Sequence, residues 1–207
     1  GRQGGRYAES RGSEPQSDVR FSESLVDTIE GIELSELTED EVEGLIYMRE
    51  EEQLARDVYA RLYEIWNYPI FNNISSSEQQ HMDQVLILLN AYGLEDPASL
   101  ERGVFKDKVL QDLYNDLTTA SEVSLSKALI AGSTIEDLDI NDIALYESQT
   151  LKADLLHVYD QLKCGSRNHL RSYTDRLDML GVDYVPQFLS LEEYDAILSS
   201  ERERCGP

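Results

Sequence analysis

The stretch Glu78-Gln79-Gln80-His81-Met82-Asp83-Gln84-Val85-Leu86-Ile87-Leu88-Leu89 decides the fold. Met82, Val85, Leu86 and Leu89 recur at helical spacing, so the segment is an amphipathic helix. On that helix Glu78 and His81 stand one turn apart on a common face. A carboxylate and an imidazole so placed can hold one metal ion, and a Glu-x-x-His step of this kind is the inward-facing unit of carboxylate-bridged metal bundles. The step is common by chance. Its meaning depends on whether other helices bring matching ligands to meet it.

Outward from that helix the rest of the chain also reads as helical. Thr38-Glu39-Asp40-Glu41 has capping-box spacing and opens a long helix over about 39–67, with Leu45, Met48, Ala55, Leu62 and Trp66 as its apolar positions and Pro69 as its stop. The second helix spans about 73–92. A short helix near 104–117 (Val104, Leu110, Leu113, Leu117) lies within a long connection. Long helices follow at about 122–147 and 151–180, and Ser190-Leu191-Glu192-Glu193 resembles a second capping box opening a short helix over 191–202. No segment alternates with period two over enough residues to seed a sheet. The expectation is all-α: a ferritin-like four-helix bundle over residues 38–181, with a long crossover between its second and third helices. A flexible arm and lead-in precede it over 1–37, and an extension with a short C-terminal helix follows over 182–207.

The chain has 207 residues, 41% hydrophobic, enough for one domain with a substantial core. Its formal charge of −23 argues against nucleic-acid or anionic-membrane partners and makes cations the natural small partners; it is equally the composition of a solvated acidic surface. No apolar run reaches the roughly 18 residues of a spanning helix. Residues 1–20 contain four Gly, three Ser and one Pro, and four Arg against three acids. They read as a disordered arm that could dock on an acidic neighbour and so build a homo-oligomer. A start at Gly1 suggests a processed mature protein or a fusion remnant; a removed signal peptide implies an extracellular or periplasmic location, and otherwise the location is cytoplasmic. Cys164 and Cys205 are too few for a disulfide framework and can be free, paired with each other, or paired between chains.

Glu52 shares the core-facing stripe of the first helix with Leu45, Met48, Ala55 and Tyr59. Glu52-Gln53-Leu54-Ala55-Arg56-Asp57-Val58-Tyr59 resembles the Glu-x-x-Ala-Arg-x-x-Tyr of rubrerythrins, in which that Glu is an iron ligand. Ala131-Gly132-Ser133-Thr134-Ile135-Glu136 resembles their Ala-Gly-Glu-x-x-Glu, and Ser166-Arg167-Asn168-His169 sits where their last ligand pair does. The runs MREEEQLARDVY, PIFNNISSSEQQHMD, GSRNHLRSY and VPQFLSLEEYDAIL together resemble the ferritin-like domain of unknown function 2202 over about residues 38–200.

The resemblance implies a metal site of Glu52, Glu78, His81, Glu136 and His169, holding one or two ions of iron, manganese or zinc. Ser133 and Ser166 stand where carboxylates are expected, which depletes the set. Each candidate has a plainer role open to it. Glu78 can complete a capping box from Ser75, Glu52 can belong to a solvated run with Glu50 and Glu51, and Asp137 or Asp139 can replace Glu136. His169 can be a hydrogen-bonded core residue, and His157 lies off the motif. Arg56 and Arg167 either orient ligand carboxylates or make ordinary ion pairs; Tyr59 and Tyr63 either pack the core or serve a redox metal. A rubrerythrin-like peroxidase or ferroxidase and a structural, self-assembling scaffold are the alternatives to simple metal binding. No Cys-x-x-Cys pair follows the bundle to supply a rubredoxin-type centre.

Overall fold

In the computed structural model, which describes residues 26–27 and 34–205, the chain is all helical. Among the described residues from 34 on, six helices run in order: α1 (Glu39–Trp66), α2 (Pro69–Ala91), α3 (Lys108–Ser121), α4 (Leu125–Glu147), α5 (Ala153–Met179) and α6 (Leu191–Ser199). Most of the expectations for the arm and lead-in fall outside the described residues.

The helix ends follow from local chemistry. Thr38 and Ser190 both close the anticipated capping boxes with Glu41 and Glu193. Asp107 accepts from the backbone N–H groups of Val109 and Leu110, which starts α3 four residues later than the hydrophobic pattern suggests. Pro69 does not merely end α1. It is the first residue of α2, where its missing N–H is no loss and its fixed φ suits a helix, so that helix begins four residues earlier than expected. Asn67, in the left-handed conformation at φ 45°, makes the two-residue turn between them.

So short a link makes α1 and α2 antiparallel, and Arg49 to Met82, Glu52 to His81 and Ser75 to Arg56 mark the register. The α4–α5 pair is antiparallel in the same way, through Asp139 with Ser166 and Gly132 with Tyr173. Contacts of Tyr59 with Glu136 and of Ser77 with His169 set α1 against α4 and α2 against α5, again antiparallel. Hence α2 and α4 run the same way, and the segment between them must travel the length of the helices. That is why the connection is long.

α1 is enclosed on every side over Met48–Ala55, where all eight residues are buried. One of its faces is given to the crossover: Arg49 pairs with Asp96, the Gln53 side chain bonds the backbone of Ser99, and Asp57 accepts from the N–H of Gly103. Glu50 accepts from the N–H groups of Lys106 and Asp107 at the approach to α3. Leu54, Val58 and Leu62 enter a core with Phe71, Leu129, Leu170 and Tyr173, and Leu45 and Met48 a second one with Val85, Leu88 and Leu162.

The C-terminal extension folds back over α4 and α5. Asp137, fully buried, accepts from the Tyr184 hydroxyl at 2.8 Å and from the backbone N–H groups of Gln187, Phe188 and Leu189 at 2.5, 3.1 and 2.8 Å. Glu203 pairs with Arg167 and Arg171, and Cys164 is joined to Cys205 by a disulfide, one of the three states open to the two thiols from sequence. Replacing Asp137 by Ala leaves those donors buried without an acceptor. The expected cost is about 2–4 kcal/mol, read from urea unfolding; a loss below about 0.5 kcal/mol would show that the extension is not anchored there.

Candidate metal centre

The five residues singled out from the sequence come from four helices and meet in one place. Glu52 on α1, Glu78 and His81 on α2, Glu136 on α4 and His169 on α5 are all buried, and they form two groups that share Glu78: Glu52, Glu78 and His81, and Glu78, Glu136 and His169. Within each group the ligand-type atoms lie within 4.8 Å of one another, close enough to hold one ion.

The Nδ1 atoms of both imidazoles face the carboxylates. His81 Nδ1 lies 2.8 Å from Glu78 Oε2 and 3.1 Å from Glu52 Oε2. His169 Nδ1 lies 2.9 Å from Glu78 Oε1 and 3.4 Å from Glu136 Oε2. Yet neither oxygen of Glu78, nor His169 Nδ1, nor Glu52 Oε1 makes a geometrically sound hydrogen bond. Short contacts without alignment are what results when donor atoms point at a common centre rather than at each other. The other nitrogen of His169 contacts the Ser77 hydroxyl at 3.0 Å, which fixes the ring as the outer partner of a ligating imidazole does. The Tyr59 hydroxyl donates to Glu136 at 2.5 Å.

Gly165 makes room for the second imidazole. A Cβ at that position of α5 would lie 2.4 Å from His81 Nε2, so only glycine lets the ring stand between α2 and α5. From outside, a cavity of about 210 Å³ reaches the imidazoles; Ser77, Gln84, Gly165 and Asn168 line it, and Cys205 of the disulfide is part of its wall.

No lysine or arginine is among the strongest influences on these carboxylates. Burial pushes Glu52 up to about 7, and His81 offsets this only in part. Burial and the charge of Glu78 push Glu136 up to about 7 as well. Glu78 is the exception: burial raises it, but His169 and His81 outweigh that and hold it below the usual carboxylate range. For the imidazoles burial works downward and loses. Glu78 and Glu136 raise His169 to about 10, and Glu52 and Glu78 raise His81.

The plainer roles can now be assigned. Glu78 sits in mid-helix, far from the N-terminus at Pro69, so it caps nothing. Glu50 and Glu51 are as buried as Glu52, so the charge run is not solvated. Asp137 anchors the extension, and Glu136 is the residue that joins the cluster. His169 is hydrogen-bonded, as the core reading held, but through the nitrogen turned away from the carboxylates. Arg56 pairs with Asp57 and donates to Gln79, while Arg167 holds Glu203, so both make ordinary polar links. Tyr59 packs in the core and also holds a cluster carboxylate; Tyr63 only packs. Gly165 was not singled out from the sequence, and its adjacency to the Ser-x-x-His step was the one signal available.

The family model described as "Uncharacterized protein domain (DUF2202)" matches residues 41–201. The chain belongs to this family. Among relatives of the DUF2202 chain, the uncharacterized protein MJ0754 of Methanocaldococcus jannaschii is 44% identical over 181 residues, covering 87% of this chain and 98% of its own length. The crystal structure of hypothetical protein MJ0754 from Methanococcus jannaschii DSM 2661 matches with a TM-score of 0.81 and 45% identity, over 83% of this chain and 99% of that one. No helix among the described residues is long and apolar enough to cross a membrane.

Two expectations follow. In the metal-free protein Glu52 and Glu136 release protons near pH 7 rather than near 4.5, so folding takes up protons across that window. Their contribution is complete below about pH 4.5 and is lost as pH rises through about 7, and the raised imidazoles extend the same sign upward. The thermal midpoint in chelator should therefore fall from about pH 5 to 8; a midpoint that rises over that range would contradict the electrostatics described. Separately, Gly165→Ala should displace His81 and cost about 1–3 kcal/mol of stability in chemical denaturation. Unchanged stability would mean the ring has room to spare.

Proposed function

We propose that this DUF2202 protein is a ferritin-like four-helix bundle that binds two transition-metal ions through the residues of its buried cluster. Glu52 and His81 would serve one ion and Glu136 and His169 the other, with Glu78 between them giving one oxygen to each. The observation that carries this reading is Glu78 itself, whose two carboxylate oxygens each face a histidine nitrogen at under 3 Å without a sound hydrogen bond to either. Three carboxylates and two imidazoles without a lysine or arginine partner suit divalent iron, manganese or zinc, because the ions would supply the positive charge that the fold omits. The parallel course of α2 and α4 and the long crossover support the ferritin-like placement.

The residues around the cluster prepare it for ions. Ser77 orients His169, the Tyr59 hydroxyl orients Glu136, and Gly165 keeps the space that the His81 ring fills. Iron or manganese bound there supplies one-electron chemistry toward dioxygen or peroxide. A second reading, a peroxidase or ferroxidase, draws on the cavity that ends at the imidazoles, since it admits a small molecule to an otherwise closed interior. The Cys164–Cys205 disulfide fits an oxidising compartment.

Metal analysis tests the proposal. Reconstituted protein should carry about two ions per chain, Glu78→Ala should lose both, and His81→Ala or His169→Ala should each weaken one at least about tenfold. Wild-type protein that stays free of metal after exposure to ferrous iron, manganese and zinc would refute it.

A further inference from the structure

The Cys164–Cys205 disulfide stands at the cavity that reaches the imidazoles, and its two sulfurs differ in their surroundings. Cys164 lies on α5 beside Gly165, the residue against which the His81 ring stands, and is 7% exposed. Cys205 is exposed and lines the cavity. The ordinary task of such a bridge is to tie the tail down, but the tail is tied already. Two residues before Cys205, the Glu203 carboxylate accepts from Arg167 and Arg171. The Glu203 N–H donates to the Asn168 side-chain oxygen at 3.0 Å, and its carbonyl accepts from the Asn168 amide nitrogen at 3.0 Å. These bonds hold Cys205 near Cys164 whether or not the sulfurs are joined. Breaking the bridge leaves two thiols side by side rather than a loose end.

Asn168 also acts on the sulfur itself. Its oxygen is engaged by the Glu203 N–H and by Arg171, which fixes the amide so that its nitrogen lies 3.2 Å from Cys205 Sγ. An N–H aimed at sulfur favours the thiolate, which is the reactive form. An exposed thiol with such a donor, next to a buried second thiol, is the arrangement of an attacking and a resolving cysteine. The cavity indicates the substrate class: at about 210 Å³, with Ser77, Gln84, Gln161 and Asn168 in its wall, it suits a small polar molecule. We propose that Cys164 and Cys205 form a redox-active dithiol that reduces small hydroperoxides at this cavity, Cys205 attacking and Cys164 resolving.

The Cys205 thiolate attacks one oxygen of hydrogen peroxide; an S–O bond forms, the O–O bond breaks, and the departing hydroxide takes a proton from solvent. The Cys164 sulfur then attacks Cys205 Sγ, forming the S–S bond as the S–O bond breaks, and a second water leaves with the Cys164 proton. Two thiols and one peroxide thus become one disulfide and two waters. A small external dithiol restores the couple by exchange at the exposed Cys205 and is itself oxidised to a disulfide. No metal ion takes part, so this activity goes beyond the proposed dinuclear centre and does not depend on it.

Peroxide titration of the full chain, reduced with dithiothreitol in chelator and freed of excess reductant, tests the assignment. Wild type should lose two thiols for each hydrogen peroxide consumed, at least about tenfold faster than free cysteine at the same pH. Cys164→Ser should stop at a Cys205 sulfenic acid that dimedone traps, and Cys205→Ser should leave Cys164 inert. Should either variant fail to fold, the wild-type rate decides. Oxidation no faster than that of free cysteine, dimedone trapping at Cys164, or loss of the helical circular dichroism on reduction would overturn the proposal. Because the chelator removes metal ions, failure here leaves the dinuclear reading standing, and failure to bind metal leaves this one standing.

Discussion

Carboxylates placed inside a protein without lysine or arginine beside them set the terms for everything around them. An isolated buried charge is so unfavourable that the group sheds it, pairs it or binds a cation. Here Glu51, Glu52, Glu78, Glu136 and Asp139 all lie in the interior between α1, α2, α4 and α5. In the metal-free state protons and two imidazolium rings meet part of that need: burial displaces Glu52 and Glu136 upward, the imidazoles hold Glu78 low, and the carboxylates keep the imidazoles charged. The cluster remains short of positive charge, the condition under which buried carboxylates could hold a metal ion.

The bundle makes this possible by surrounding the acids with well-anchored neighbours. The arginines of the interior are engaged elsewhere: Arg49 ties α1 to α2 and to the crossover, and Arg171 holds the end of α6 and Glu203. The backbone donors of the crossover and extension are likewise committed to Glu50, Asp57 and Asp137. Acids that have structural tasks receive donors, and acids around the cluster receive few. This division separates the two kinds of buried carboxylate more clearly than burial does.

Much of this was legible in the sequence. The capping boxes at Thr38 and Ser190, the amphipathic spacing of α2 and the Glu-x-x-His step are local patterns, and local physics fixes them. The five site residues were found because each lies on a stripe or motif that identifies its face. What escaped notice was relational. Glu50, Glu51 and Glu52 look like one charged run, and only the packing of α3, α4 and α2 around α1 gives each a different partner. Among Glu136, Asp137 and Asp139, successive helical positions point to the cluster, to the extension and to Ser166, a distinction that one chain cannot display before its tail is placed. Ser166 looks like a lost carboxylate along its own helix, and only the pairing of α4 with α5 shows that its hydroxyl donates to Asp139.

The enclosure of Met48–Ala55 has a further consequence. A helix with a solvent side can change its sequence along that side at little cost, but these two turns of α1 have none. Every position answers to a different neighbour: the crossover, the approach to α3, the acids of α4 or the imidazole of α2. The segment is therefore closed to neutral drift. Its hydrophilic composition, which on the page resembles surface, belongs to a stretch with little freedom to vary.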